Sequence, residues 1–206
     1  MLKKEVDFVL LNQFADWEFA PLACLINQFS DWSVKIVSLS KTPVSSIGGL
    51  SVIPDYDLTD INFNLCHGLI LIGGYSWRTE QALAVKDIVL MAKKTKKIIG
   101  AICDATTFLA STGILNSVYH TGNTIQDLQS SKNYQGSSFY KNEPAVSNQK
   151  VITANGCAPL EFAQKTITAL NLLNEAEAER WYNTFKHGFY KAPQDSVWWF
   201  EKVKTL

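Results

Sequence analysis

The chain has 206 residues, of which 47% are hydrophobic and 18% are charged, and this balance is typical of one globular domain rather than of a disordered chain. Lysine and arginine together number 19, as do aspartate and glutamate, so the formal net charge is zero. Because binding to nucleic acid relies on surplus positive charge against phosphate, nucleic acid is not an expected partner.

Neither a membrane span nor a metal site is expected. No apolar run reaches the length of a membrane span, and charged residues interrupt the N-terminal segment where a secretory signal would need an apolar stretch, so the expected location is the cytoplasm. The cysteines form no CxxC pair and do not cluster with histidines, so we expect no metal, no cofactor and reduced thiols. The four cysteines are Cys24, Cys66, Cys103 and Cys157.

The first half of the chain alternates short apolar runs with stretches of helical periodicity. Apolar runs of this length are typical of strands that are buried on both faces. In chain order, the pattern predicts a strand at 6–11, a helix at 16–29, a strand at 34–39, a hairpin in the Pro-, Gly- and Ser-rich segment 41–57, a strand at 69–72 and a helix at 80–94.

The second half continues the alternation and then changes character. It predicts a strand at 97–102, a helix at 105–112, a polar and loop-rich stretch at 119–148, a strand at 151–154 and a helix at 159–171. Strands that alternate with helices imply right-handed crossovers, and hence an α/β fold with a mostly parallel sheet covered by helices on both faces.

The C-terminal stretch is unusually aromatic. Residues 175–180 form a charged helical run, and the aromatic residues that follow are Trp181, Tyr182, Phe185, Phe189, Tyr190, Trp198, Trp199 and Phe200. Because so much aromatic surface is unfavourable in water, we expect it to pack on the core or on a dimer partner. The predicted organisation is therefore an α/β domain at 1–174 and an aromatic helical extension at 175–206.

Cys103 is the strongest candidate for chemistry. It follows the predicted strand at 97–102 and precedes a helix, so it occupies a tight turn at the carboxyl end of a strand. The positive end of the helix dipole favours a thiolate there. The alternative is a buried structural cysteine, which is common in protein cores.

Three further features are weaker candidates. Glu18, in the first turn of the first helix, could orient the thiol or carry a proton, or could simply interact with the helix dipole. Gly73 and Gly74 end a strand and could expose a backbone N–H to an oxyanion, or could form an ordinary turn. His120 could be the base for Cys103, although a single histidine in a loop is usually solvated.

In combination, these motifs resemble the ThiJ/PfpI superfamily of class I glutamine-amidotransferase-like proteins, which includes PfpI-type intracellular proteases, glyoxalase- or deglycase-type enzymes and redox-responsive stress proteins. The resemblance covers about residues 5–173. The motifs that carry it are Glu18, Gly73-Gly74, Ala101-Ile102-Cys103, the run from Val151 to Gly156, and Glu161-Phe162-Ala163.

The resemblance implies a flavodoxin-like sandwich with Cys103 on a nucleophile elbow. It also implies that Glu18 hydrogen-bonds the cysteine and that the backbone N–H groups of Gly74 and Asp104 form an oxyanion hole. Members of the superfamily are usually homodimers or larger homo-oligomers, so we expect a homodimer.

The chain departs from the family pattern beside the nucleophile. PfpI-type proteases carry a histidine directly after the cysteine, where this chain has Asp104, and the late histidine of glutamine amidotransferases is missing near 159–161. An anion at position 104 opposes formation of a thiolate. His120 is the remaining candidate base, so the expected catalytic set is Cys103, Glu18 and His120.

These observations leave three functional hypotheses open. The first is a cysteine-dependent hydrolase or lyase, protease-like or glyoxalase-like, that acts on a peptide or on a small carbonyl compound. The second is a stress-response or chaperone-like protein in which Cys103 senses oxidants without catalysis. The third is a binding module with an unreactive thiol, because Asp104 lies beside Cys103.

Overall fold

A seven-stranded sheet forms the centre of the fold in the computed structural model, which describes residues 3–192. The strands are β1 (Lys4–Val9), β2 (Trp32–Ser38), β3 (Val44–Ser45), β4 (Ser51–Val52), β5 (Tyr56–Asp57), β6 (Cys66–Leu71), β7 (Ile98–Ile102), β8 (Ala145–Asn148) and β9 (Val151–Ala154). Their order in the sheet is β5-β2-β1-β6-β7-β9-β8, and every neighbouring pair is parallel except β8 with β9. The separate β3–β4 hairpin is antiparallel, as the sequence predicts.

Helices cover both faces of the sheet. They are α1 (Asp16–Ile26), α2 (Lys86–Lys94), α3 (Asp104–Ser111), α4 (Ile125–Gln129), α5 (Pro159–Ala169) and α6 (Glu175–His187). Buried residues of α1, α5 and α6 share one apolar cluster with the sheet, and those of α2, α3 and α4 share the other. Within residues 3–192, no helix is long and apolar enough to cross a membrane.

The central strands are apolar because both of their sides are covered. In and just after β1, Phe8 and Leu10 belong to one cluster and Val9 and Leu11 to the other, and all four side chains are buried. Such strands read as continuous apolar runs. The predicted flavodoxin-like α/β sandwich with a mostly parallel sheet is therefore confirmed, and its parallel strands bring the segments after β1, β6 and β7 to one edge.

The stretch 119–148, expected to be loop-rich, contains the short helix α4 and the strand β8. β8 lies at the sheet edge, and of its four residues only Ala145 and Val146 are buried. A strand with two apolar residues has no pattern that distinguishes it from a loop. The predicted helix at 80–94 also begins differently, because Glu80–Val85 is a 3₁₀ helix before α2 starts.

The C-terminal helix α6 packs on α5. Trp181 is completely buried, the Tyr182 hydroxyl donates to Glu161 Oε1 at 2.8 Å, and Lys186 Nζ lies 3.0 Å from the same oxygen. Tyr190, by contrast, is fully exposed. Phe185 and Phe189 are partly exposed. The last three aromatic residues of the predicted extension, Trp198, Trp199 and Phe200, lie outside the described residues.

The burial of Trp181 predicts how much α6 contributes to stability. Replacing Trp181 with Ala removes a completely buried indole, so we expect the free energy of unfolding to fall by about 3–5 kcal/mol. Urea denaturation followed by circular dichroism measures this change. Tyr190→Ala is the control and should change stability by less than about 0.5 kcal/mol, since its side chain is fully exposed. Equal effects of the two substitutions would contradict the packing of α6.

Candidate active site

Cys103 occupies a strained turn between β7 and α3. Its φ is 58° and its ψ is −132°, a conformation that residues with a side chain rarely adopt. Its backbone N–H donates to the Ala154 carbonyl oxygen at 3.0 Å, so β9 holds the turn in place. Asp104 then begins α3 directly, which leaves the half-buried Cys103 at the N-terminal end of the helix.

The structure brings Glu18 to Cys103. Glu18 lies in the first turn of α1 and is fully buried, and its Oε2 accepts the Gly73 N–H at 2.9 Å. A Cβ on Gly156 would lie 2.8 Å from Cys103 Sγ and 3.1 Å from Glu18 Oε1, so the thiol and this carboxyl oxygen face the same glycine. Within residues 3–192, Oε1 has no other hydrogen-bond partner, which leaves it available to the thiol.

Burial controls the protonation of this pair. It raises the pKa of Glu18, and the hydrogen bond with Cys103 and the Gly73 N–H offset only part of that rise. Burial also raises the pKa of the Cys103 thiol, and the negative charge of Glu18 raises it further. Because two charges so close together in a buried site are unfavourable, the pair carries at most one negative charge near neutral pH.

Two glycines make the close approach of Cys103 and Glu18 possible. A Cβ on Gly73 would lie 2.5 Å from Cys103 Cβ and would also clash with Glu18 Oε2, and any side chain at Gly156 would meet Cys103 Sγ. Real Cβ atoms do not approach other atoms so closely. The thiol and the carboxyl can therefore meet only because positions 73 and 156 have no side chain.

Asn123 is the third side chain at the sulfur. Its Nδ2 lies 3.4 Å from Cys103 Sγ and 3.4 Å from Asp104 Oδ1, and its Oδ1 accepts the Gly156 N–H at 2.9 Å. The hydrogen bond from Asn123 lowers the pKa of Cys103, against the effect of burial. Trp17 also contacts Gly156, since its Nε1 donates to the Gly156 carbonyl oxygen at 3.2 Å.

Asp104 is paired with an arginine. Arg78 Nε lies 2.7 Å from Asp104 Oδ2 and Arg78 Nη2 lies 2.8 Å from Oδ1, which is a two-point contact of a guanidinium with a carboxylate. Asp104 is 7% exposed, so without Arg78 its charge would be buried and uncompensated. The negative charge of Asp104 raises the pKa of Cys103, and its own backbone N–H lowers it.

The two residues expected to form an oxyanion hole lie at the same sheet edge. The Asp104 backbone N–H forms a hydrogen bond to the Cys103 sulfur. Gly74 has a φ of 143° and packs against Phe14 and the carbonyl of Gln13, whereas it is Gly73 that contacts Cys103. Among residues 3–192, no hydrogen-bond acceptor is found for the Gly74 N–H.

His120 does not reach the thiol, which corrects the expectation that it serves as the base. It is fully buried, its Nδ1 pairs with the Val118 carbonyl oxygen at 2.8 Å, and its Nε2 pairs with the Tyr134 hydroxyl at 2.8 Å. Burial also lowers its pKa, so the ring is a neutral part of the core. With both nitrogens engaged elsewhere, His120 has none to offer Cys103.

Sequence reasoning missed Arg78 and Asn123. Arg78 lies in the 3₁₀ helix Tyr75–Arg78, and Asn123 lies in the loop before α4, so neither position has a periodic pattern. The one signal for Arg78 in the sequence was the acidic Asp104 beside the predicted nucleophile, since its charge opposes a thiolate unless a cation compensates it. Arg78 also lines a cleft of about 590 Å³, but that cleft is walled by Trp77, Phe108 and Asp127 among others and does not include Cys103.

Comparison with known proteins agrees with this geometry. The family model described as "DJ-1/PfpI family" matches residues 4–169. A Bacillus subtilis protein named "Uncharacterized protease YdeA" is 38% identical over 189 residues, which cover 91% of this chain and 93% of that protein. The Caenorhabditis elegans protein named "Glutathione-independent glyoxalase DJR-1.2" is 26% identical over 133 residues, 64% of this chain and 69% of its own length.

A solved structure also matches this chain over most of its length. The DJ-1 superfamily protein Atu0886 from Agrobacterium tumefaciens superimposes with a TM-score of 0.83 at 33% identity, and the match covers 91% of this chain and 100% of that one. The matched region contains the elbow at Cys103, the buried Glu18 and the two glycines that let them meet. The chain therefore belongs to the DJ-1/PfpI family.

Proposed function

We propose that the protein is a cysteine-dependent enzyme that acts on small carbonyl compounds, with Cys103 as the nucleophile and Glu18 as the group that carries the proton. The observation that carries the proposal is that the Cys103 thiol and the fully buried Glu18 carboxyl face the same glycine, where the hydrogen bond between them lowers the pKa of the carboxyl. A carboxyl whose pKa is raised by burial can accept and return a proton near neutral pH.

The proposed reaction starts with addition of the thiol to an aldehyde carbonyl. A bond forms between Cys103 Sγ and the carbonyl carbon, and the thiol proton passes through Glu18 to the carbonyl oxygen. The backbone N–H groups of Gly74 and Asp104 would stabilise negative charge on that oxygen. With a 2-oxoaldehyde, Glu18 can then move a proton from the carbon that carries sulfur to the neighbouring carbon, while the hydroxyl proton of the adduct passes to the neighbouring carbonyl oxygen, which gives a thioester. Water then hydrolyses the bond between carbon and sulfur, which releases a 2-hydroxy acid and returns the Cys103 thiol.

Peptide hydrolysis is the less favoured activity, although YdeA is named as a protease. In triad proteases the imidazole that activates the nucleophile also protonates the leaving nitrogen, and His120 is engaged in the core, so both tasks would fall to Glu18. Addition to an aldehyde expels no amine and needs only the proton transfers that one carboxyl can perform. The name of the glyoxalase relative points to the same class of reaction.

Removal of the thiol tests the proposal directly. With Cys103→Ala, we expect turnover of a 2-oxoaldehyde to fall by at least about 10³-fold, because the sulfur that forms the covalent adduct is lost. The measurement is the rate of hydroxy-acid formation. The matched control is Cys24→Ser, which changes an exposed thiol and should leave the rate unchanged. Turnover that persists in Cys103→Ala would overturn the proposal.

Glu18→Gln tests the proton carrier. We expect turnover to fall by about 10²–10⁴-fold, since the amide keeps the shape of the side chain but cannot accept a proton. Asp16→Asn, the same charge change in the same turn of α1, is the control and should leave most of the turnover. A Glu18→Gln variant as active as the parent would show that another group moves the proton.

Glu18→Gln should also change how stability depends on pH. In the unfolded chain, Glu18 ionises near its ordinary value of 4.5, whereas the folded protein retains the proton to higher pH. The free energy of unfolding should therefore fall as the pH rises from about 4.5 through neutral, and Glu18→Gln should make this fall smaller. Denaturation at a series of pH values measures the difference between the two proteins.

Redox sensing at Cys103 is the second candidate function, and the engagement of His120 in the core favours it because no imidazole assists catalysis. After mild treatment with peroxide, we expect mass spectrometry to find oxidation concentrated at Cys103, since donors surround its sulfur. The exposed Cys24 and Cys157 are internal references in the same digest. Equal oxidation of these three cysteines would exclude a sensing role.

A further inference from the structure

Asn123 is held by three groups around the nucleophile, and two of them fix the direction of its amide. The Gly156 backbone N–H can only donate, so the atom 2.9 Å from it must be the amide oxygen. The Asp104 carboxylate, bound to Arg78, accepts hydrogen bonds, so the atom 3.4 Å from its Oδ1 must be the amide nitrogen. Both partners require the same orientation.

This orientation directs an NH₂ group at the sulfur. Nδ2 lies 3.4 Å from Cys103 Sγ, a distance suited to a hydrogen bond to sulfur. An amide NH₂ donates and does not accept, so this contact is more favourable when the sulfur is an anion than when it carries a proton. Unlike an imidazole in the same place, the amide cannot take the proton, and proton transfer is left to Glu18.

We propose that Asn123 is a catalytic residue of this site, the fixed donor that stabilises the anionic sulfur of Cys103 in place of the missing triad histidine. Asp104 and Arg78 are positioning residues in this arrangement, because the carboxylate anchors the amide and the guanidinium compensates the carboxylate. The inference rests on the proposed function in that it assigns a further residue to the same nucleophile.

The arrangement also gives a reason for an acidic residue next to the nucleophile. Alone, the Asp104 charge disfavours an anion at Cys103. Paired with Arg78 at 2.7 and 2.8 Å, it still accepts from Asn123 while its charge is largely compensated. Asp104 therefore directs the NH₂ of Asn123 towards the sulfur at a reduced electrostatic cost.

The decisive variant is Asn123→Asp. Its side chain has almost the same shape and can still accept the Gly156 N–H, but an oxygen replaces the NH₂ that faces Cys103 and Asp104. The measurement is the rate of alkylation of Cys103 by iodoacetamide as a function of pH, read from peptide mass spectra. We expect the midpoint to rise by at least about one pH unit, which is about a tenfold smaller anionic fraction at a fixed pH below the midpoint.

Two controls separate this role from a general effect on folding. Asn133→Asp makes the same charge change at an exposed amide that donates to the Ser111 carbonyl, and it should leave the Cys103 midpoint unchanged. Arg78→Gln leaves Asn123 intact but removes the compensation of Asp104, so it should raise the midpoint as well. Asn123→Ala removes the donor without adding charge and should give a smaller rise than Asn123→Asp.

The outcomes are distinguishable from those of the proposed function. A midpoint that stays within about 0.2 pH units in folded Asn123→Asp and Asn123→Ala would overturn the role of Asn123, whatever the activity of Cys103→Ala. If Asn123→Asp fails to fold, Asn123→Ala and Arg78→Gln decide in its place. If the midpoint rises as expected while Cys103→Ala retains turnover, the enzymatic proposal fails and the role of Asn123 at the sulfur stands.

Discussion

The left-handed backbone of Cys103 is the constraint on which the rest of the site depends. With φ at 58°, the chain turns from β7 into α3 within one residue and places the sulfur above the sheet edge. Neighbouring segments then have to approach it very closely, which positions 73 and 156 permit because they are glycines. The strain is maintained by the sheet, through the hydrogen bond from the Cys103 N–H to Ala154.

The electrostatics of the site follow from this crowding. Glu18 and Asp104 are both buried within reach of a sulfur that must itself become anionic to react. The conflict is reduced in two ways: burial keeps a proton on the pair formed by Glu18 and Cys103, and Arg78 compensates Asp104. The pair of Glu18 and Cys103 can therefore hold one negative charge. The Gly73 N–H at Glu18 Oε2 favours that charge on the carboxylate, and the Asn123 amide at Cys103 Sγ favours it on the sulfur.

Much of the fold was predictable from the sequence because parallel strands buried on both faces produce apolar runs of recognisable length. The strand at 151–154 was predicted with the bounds that β9 has, and α1 begins at residue 16 as expected. The edge strand β8 was not predictable, since only two of its residues are buried. Burial on both faces leaves a clear pattern, and an edge position does not.

The site was predictable where residues follow strands at the same sheet edge, and much less where loops fold over it. Glu18 and Cys103 follow β1 and β7, so the parallel topology alone places them near each other. Asn123 reaches the sulfur through a loop, and its position depends on hydrogen bonds to Gly156 and Asp104 that no local pattern encodes. His120 was assigned to the wrong environment because a single histidine carries no information about its burial.

The contact of α6 with Glu161 has a consequence for the rigidity of the site. Glu161 lies in the first turn of α5, shortly after the segment that presses Gly156 against Cys103, and Tyr182 and Lys186 of α6 bind it from outside. Local opening of α6 would remove this support from the start of α5 and leave only its packing on the sheet and α1 to hold it. Helix α6 thus supports the segment that follows Gly156, and the rigidity of this side of the site depends on how often α6 detaches.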